Sequence, residues 1–406
     1  MNKSTYALVT LAYWVFMLSD GALRMVVLLH FHALGFSPVQ LAFLFLLYEC
    51  AGIVTNLIGG WVGSRYGLRR TLFIGLSLQI VALCALTIVD TNWASTLAVT
   101  FVMAVQALDG VAKDLTKMSS KSAVKLIVSD ENDQDGKLFK WVAALTGSKN
   151  ALKGVGFFLG SLLLSTLGFD NALFALAGML GVTLLASLIW VKGSFGQSKK
   201  KTKFKQLFSK SSAINKLSFA RSFLFASRDV WFVVGLPIFL HDVLQWDFWK
   251  VGGFMACWVI GYGFVQAFAP KITGGKTQGA NTLAQSVRSA KIWIFALFGI
   301  CSAMALAVSN DFHLTATLLG GLCVFGFIFA INSSIHSYLI LAYTSDDEVS
   351  LNVGFYYMAN ACGRLLGTLL SGAMYLVAGL PGCLWTAAAL TLIAAISSLK
   401  LPSTAE

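Results

Sequence analysis

The 406 residues are 57% hydrophobic and 12% charged, with a mean hydropathy of +0.75; a soluble domain carries roughly a quarter charged residues, so a water-soluble module is excluded. The net charge of +12 would suit nucleic acid, but the basic clusters recur only in alternate loops between apolar runs. That is the positive-inside pattern of a membrane protein and leaves no nucleic-acid partner.

Apolar runs predict spans at 7–32, 39–62, 71–90, 94–116, 138–167, 170–192, 216–242, 248–271, 290–308, 313–342, 350–378 and 381–399. The expected fold is an all-α membrane protein with twelve transmembrane helices. The first run lacks an A-x-A cleavage site and reads as a retained span. Candidate inner loops contain Arg65, Arg69 and Arg70, then Lys117, Lys121, Lys125, Lys137 and Lys140, then six lysines between Lys199 and Lys210, then Lys271, Lys276 and Arg288. Outer loops such as Gly35-Phe36-Ser37-Pro38 and Asp90-Thr91-Asn92-Trp93 are short, with Lys250 the single basic exception. Both termini are therefore expected in the cytoplasm. One inner loop, Ser345-Asp346-Asp347-Glu348, is acidic, and acids weigh little in this rule.

The basic linker at 193–215 divides residues 1–192 from 216–406, an expected six-helix half on each side. A faint internal repeat joins them. Gly156-Phe157-Phe158-Leu159-Gly160-Ser161-Leu162-Leu163 in the fifth span matches Gly363-Arg364-Leu365-Leu366-Gly367-Thr368-Leu369-Leu370 in the eleventh. Asn56 and Gln266 fall at similar depths of the second and eighth. Small residues four apart are common where membrane helices pack, so the repeat alone is a weak signal.

With those in termini, loops and helix ends set aside, six cations lie inside spans: Arg24, Lys149, Lys153, Arg221, Arg228 and Arg364. Each costs about 2.5–3.5 kcal/mol at a helix centre. The acids inside spans are Asp20, Glu49, Asp109 and Asp229, available for pairing or for proton coupling. Internal pairing would lock helices together: Asp20 with Arg24 four residues on, Asp229 with Arg221 two turns away only through a long reach or an intermediary, Asp109 and Glu49 with Lys149 or Arg228. Four acids cannot absorb six cations, which favours a cavity for a small anionic ligand. Lys149 and Lys153 share a helix face, as do Arg221 and Arg228; guanidinium grips an oxyanion bidentately where lysine acts as a point charge. Neutral neighbours (Asn150, Asn332, His336, Tyr338, Asn360) either hydrogen-bond hydroxyls of a ligand or pack helices.

Lys113, Lys117, Lys121 and Lys125 recur every four residues at the end of the fourth span. They form a headgroup-facing stripe under the positive-inside bias, or alternatively an anion-attracting antechamber. His30, His32, His241 and His313 lie near outer ends, while His336 lies deeper in the tenth span. The seven cysteines form no C-x-x-C pair and read as buried thiols. G-x-x-x-x-G-K-[ST] is absent, so neither nucleotide use nor a cofactor is expected.

The loop Gly60-Trp61-Val62-Gly63-Ser64-Arg65-Tyr66-Gly67-Leu68-Arg69-Arg70 resembles the major facilitator signature G-x-L-A-D-R-x-G-R-R. The resemblance implies the major facilitator fold, with Gly60, Arg65, Gly67, Arg69 and Arg70 in a conformational gating loop. Ser64 stands where that family carries aspartate, so its charge-relay latch lacks the acid here. In that fold the site forms between parallel halves that rock in alternating access.

Longer strings are more specific. Asp20-Gly21-Ala22-Leu23-Arg24-Met25, Gly110-Val111-Ala112-Lys113-Asp114-Leu115, Lys117-Met118-Ser119-Ser120-Lys121-Ser122, the run from Trp141 to Gly154 and Arg228-Asp229-Val230-Trp231-Phe232-Val233 are similar to stretches of the ArsJ family of organoarsenical efflux permeases. The resemblance spans nearly the whole chain. It implies a bacterial inner-membrane secondary transporter exporting 1-arseno-3-phosphoglycerate, which confers arsenate resistance. It also implies a glyceraldehyde-3-phosphate dehydrogenase as functional partner, because that enzyme makes the ester when arsenate replaces phosphate. The ester has an oxyanion at each end. Arg24, Lys149 and Lys153 are expected to serve one oxyanion and Arg228 with Arg364 the other, with Arg221 at the cytoplasmic mouth. Absence of a cysteine trio fits a pentavalent oxyanion, which needs hard donors. A carrier for another organic phosphate or small organic anion remains the alternative. A drug exporter should carry an acid-rich cavity, and a sensor or scaffold would bring an appended soluble domain.

Overall fold

The computed structural model describes residues 3–66, 68–90, 92–128, 134–191, 211–272, 280–343 and 349–403. Among these residues there are thirteen helices and no strand: α1 (Lys3–Ala33), α2 (Pro38–Leu44), α3 (Leu46–Tyr66), α4 (Leu68–Leu86), α5 (Ser95–Val128), α6 (Gln134–Leu167), α7 (Phe169–Trp190), α8 (Ser212–Phe232), α9 (Gly235–Asp242), α10 (Phe248–Ile272), α11 (Ala280–Ser309), α12 (Leu314–Ala342) and α13 (Val349–Leu399). Helices alone satisfy every backbone polar group within their own segment, which an apolar slab requires. Eleven stretches among the described residues are long and apolar enough to cross a membrane. The last, Asn352–Leu399, has 48 residues and would run about 72 Å if straight, over twice a ~30 Å hydrocarbon core.

That stretch is broken. Ala378 (φ −143°, ψ 20°) and Gly379 (φ 59°, ψ −156°) leave helical geometry, and a positive φ there falls on the one residue without a Cβ penalty. Pro381 follows, a residue suited to a restarted first turn. The break falls between the expected spans 350–378 and 381–399.

Two further breaks divide spans expected to be continuous. Ser37 caps α2 in a capping box with Gln40, with Pro38 opening the helix, and α2 gives way to α3 at Phe45. In the other, α8 stops at Phe232 and α9 restarts at Gly235. Pro237 has no N–H for the carbonyl of Val233 and its ring crowds that position, so the helix cannot run through. The amides freed there donate to Ser371 Oγ of α13, Val234 N and Gly235 N each at 3.1 Å.

The chain folds as two compact units. Unit 1 comprises 1–36, 50–203 and 247–260; unit 2 comprises 37–49, 204–246 and 261–406. Most of the 193–215 linker lies outside the described residues, as do the side chains of Lys121, Lys125, Lys137 and Lys140.

Within unit 1, α6 lies directly on α1. A Cβ on Gly156 would meet Leu18 O at 2.3 Å, one on Gly160 Ala22 O at 2.2 Å, and one on Gly21 Lys153 O at 2.5 Å. Unit 2 repeats the arrangement with α13 on α8: a Cβ on Gly363 would meet Ser222 O at 2.0 Å and one on Gly367 Ala226 O at 2.7 Å. The two repeated G-x-x-x-G strings thus both sit where one helix backbone comes close to another, the role such small residues have in lipid. The apolar core of unit 2 gathers Leu217, Ala290, Ile331, Leu339 and Tyr356, with Leu401 from the tail. Tyr343 donates to Pro402 O at 2.7 Å. Burial pushes that phenol up to about 12, so it remains a donor at neutral pH.

Gly160→Val should therefore force α1 and α6 apart, at about 1–3 kcal/mol or more for overpacking, and lower the thermal midpoint of the purified protein. Gly178→Ala, where nothing lies within 4 Å, should leave that midpoint unchanged.

Candidate functional site

Each unit contains its own cluster of buried charge. In unit 1 it forms where α1, α5 and α6 pack. Lys153 Nζ donates to Asp20 Oδ2 at 2.9 Å, with the carboxylate 1% exposed. Arg24 lies one turn beyond Asp20 on α1, and Lys149 and Asn150 lie one turn before Lys153 on α6, where Trp14 Nε1 donates to Ser148 Oγ at 3.0 Å. From α5, Asp109 and Lys113 are both buried. The close glycine contacts of α1 with α6 allow these charged side chains to meet across the two helices.

Beside this cluster, α3 and α5 are tied by a second network. Lys117 Nζ donates to Asp114 Oδ1 at 2.8 Å and to Asn56 Oδ1 at 2.7 Å, and Thr55 Oγ1 donates to Asp114 Oδ2. Lys113 is 9% and Asp114 0% exposed. The first two lysines of the stripe therefore serve the interior and do not spread toward headgroups. The i, i+3 spacing of Asp114 and Lys117 is the signal that would have found the pair.

In unit 2 the cluster spans the first turn of α3, α8 and α13. Arg364 Nη2 lies 2.5 Å from Glu49 Oε1, and Arg364 Nε lies 3.6 Å from Asp229 Oδ2. Arg228 Nη2 lies 2.5 Å from Asp229 Oδ1. The Arg228 guanidinium sits over Phe225 at 4.9 Å, Phe329 at 5.5 Å and Phe232 at 5.8 Å, an aromatic surround that holds a cation away from water.

Arg221 corrects one expectation. It does not reach Asp229; Nε donates to Asn360 Oδ1 at 3.0 Å and Nη1 to Ser333 O at 3.1 Å. Its guanidinium lies over Phe225 at 4.0 Å and Tyr356 at 5.1 Å. Glu49 and Asp109 correct a second: Glu49 takes Arg364, and Asp109 makes no ion pair among the described residues. Gln266 Nε2 donates to Tyr262 OH at 2.6 Å and to Ser333 Oγ at 3.1 Å, a group that sequence reasoning found only as Gln266. His336 is fully buried, and neither ring nitrogen has a hydrogen-bond partner among the described residues.

Gly67 lies outside the described residues, and so do the side-chain surroundings of Gly60 and Arg65. Arg69 stacks over Phe73 at 5.2 Å and Arg70 is exposed.

The expected surplus of two cations divides evenly. Unit 1 has Arg24, Lys149 and Lys153 against Asp20 and Asp109; unit 2 has Arg221, Arg228 and Arg364 against Glu49 and Asp229. Lys113 and Lys117 with Asp114 add one further positive charge to unit 1. Each cluster thus retains a net positive charge and guanidinium or ammonium donors suited to an oxyanion.

The Major Facilitator Superfamily model matches residues 9–335, and the chain belongs to that superfamily. Its fold is similar to the crystal structure of a bacterial homologue of the iron transporter ferroportin in an inward-facing state, with a TM-score of 0.71 at 15% identity over 99% of both chains. It is also similar to a proton dependent oligopeptide transporter, with a TM-score of 0.69 at 16% identity over 98% of this chain and 97% of the other. No curated protein matches the sequence. The chain is accordingly a multi-pass membrane protein and a secondary transporter, not an enzyme.

Arg364→Ala would leave Glu49, 1% exposed, without its guanidinium. The expected loss is about 3 kcal/mol, the low end for breaking a buried ion pair because Arg364 is partly exposed, read as a lower thermal midpoint. Adding Glu49→Gln should recover part of it.

Proposed function

We propose that this chain is a bacterial inner-membrane exporter of a small doubly acidic organic anion, and that the anion is 1-arseno-3-phosphoglycerate. The observation that carries the reading is the net positive charge retained by the buried cluster of each unit. Arg24, Lys149 and Lys153 are assigned to one acidic group, and Arg228 with Arg364 to the other. Arg221 is held by Asn360 and Ser333 and is poised as an accessory cation. The similarity of the strings around Arg24, Lys113, Lys149, Lys153 and Arg228 to organoarsenical efflux permeases supports the choice of ester.

In this reading the break at Ala378–Gly379 is the turn between an eleventh and a twelfth crossing. The chain then divides at the basic linker into two six-helix halves with both termini in the cytoplasm. Transport proceeds by alternating access, arsenate resistance follows from removing the ester, and a glyceraldehyde-3-phosphate dehydrogenase supplies it. Export of another organic phosphate is the second reading, because the same clusters suit any ligand with two acidic groups.

Everted vesicles supplied with dehydrogenase, arsenate and glyceraldehyde 3-phosphate should accumulate arsenic only when all three are present. Lys149→Ala, Lys153→Ala and Arg228→Ala should each abolish that accumulation with protein still in the membrane. Undiminished uptake in all three variants would remove the proposed site, and uptake of a phosphorylated sugar without arsenate would favour the second reading.

A further inference from the structure

Three of the four expected carboxylates are already tied to cations: Asp20 to Lys153, Glu49 to Arg364, and Asp229 to Arg228. Each of these carboxylates has a cation set against it. Asp109 differs. It is 1% exposed, makes no hydrogen bond or ion pair among the described residues, and its Oδ1 is sealed from solvent. The charges that face it are Asp20 and Arg24 from α1, Lys153 from α6 and Lys113 from its own helix; α4, packed on its other side, contributes none among the described residues.

The neutral groups beside it are also unsatisfied. Gln106, one turn earlier on α5, has a buried Nε2 without a partner, and both amide atoms of Gln79 on α4 are buried without partners among the described residues. The antiparallel register that sets Thr71 against Ser119 at 2.7 Å and Gly75 against Ala112 and Thr116 carries Gln79 to the depth of Asp109. Each buried polar group left unbonded costs about 1–3 kcal/mol, so a run of them at the depth of one carboxylate calls for a function.

We propose that Asp109 is the proton-binding site of this carrier and that the proton travels with the anion. The inference rests on the anion-carrier reading above. Protonating Asp109 adds one positive charge to the group formed with Asp20, Arg24, Lys113 and Lys153, which improves its match to a doubly charged phosphate or arsenate end. Proton and dianion therefore bind better together than apart, and linkage makes that reinforcement mutual.

The test uses the everted vesicles between pH 7 and 8.5, above the second ionisation of a phosphate monoester near pH ~6. Wild-type apparent affinity for the ester should weaken as pH rises, by up to about tenfold per pH unit for one linked proton, and ester uptake should acidify the lumen. Asp109→Asn should flatten the pH profile and abolish the acidification, and Asp109→Glu should restore both. Equal pH slopes and equal acidification in wild type and Asp109→Asn would overturn the assignment. If wild-type vesicles take up no ester, the substrate reading falls, and infrared titration of the purified protein decides the proton site separately. A carboxyl carbonyl band that titrates in wild type and is missing in Asp109→Asn supports it; the same band in both proteins overturns it.

Discussion

A charge within an apolar slab has to be answered by another charge or by a ligand, and the interior of this protein is organised around that demand. Lys153 answers Asp20, Arg364 answers Glu49, and Arg228 answers Asp229. What the acids leave over, among the described residues, is a net positive charge in each cluster. Since stability alone would be served as well by apolar side chains, the retained cations support the anion-carrier function proposed above.

Close helix approach is what makes those answers geometrically possible. Gly156 and Gly160 bring α6 onto α1, and Gly363 and Gly367 bring α13 onto α8. In both units a cation or its hydrogen-bond partner follows at the seam: Lys153 reaches Asp20 in one, and Asn360 receives Arg221 in the other. The weak sequence repeat thus corresponds to a repeated packing solution. The functional difference between the units lies in the polar residues beside the glycines.

Membrane character, the apolar segments and the positions of the buried cations were all legible in the amino-acid order, because hydropathy and a 3.6-residue period are local properties. The break at Gly379 was legible for the same reason: Gly-Leu-Pro is local chemistry. The break at Val233–Val234 had its signal in Pro237, but the apolar run around it masked the interruption. Arg221 shows where local reading stops. Its period matches that of Arg228, yet it turns to Asn360 and Ser333 because α12 and α13 offer acceptors closer than the acid two turns away.

The sequence by itself determined that this chain crosses a membrane many times and holds more buried cations than acids. Only the tertiary structure decided which acid answers which cation, that Lys113 and Asp114 belong to the interior, and that Asp109 makes no ion pair among the described residues. The physical reason is separation along the chain. Lys153 and Asp20 are 133 residues apart and Arg364 and Glu49 315 apart, and no local pattern encodes which helices meet at a given depth.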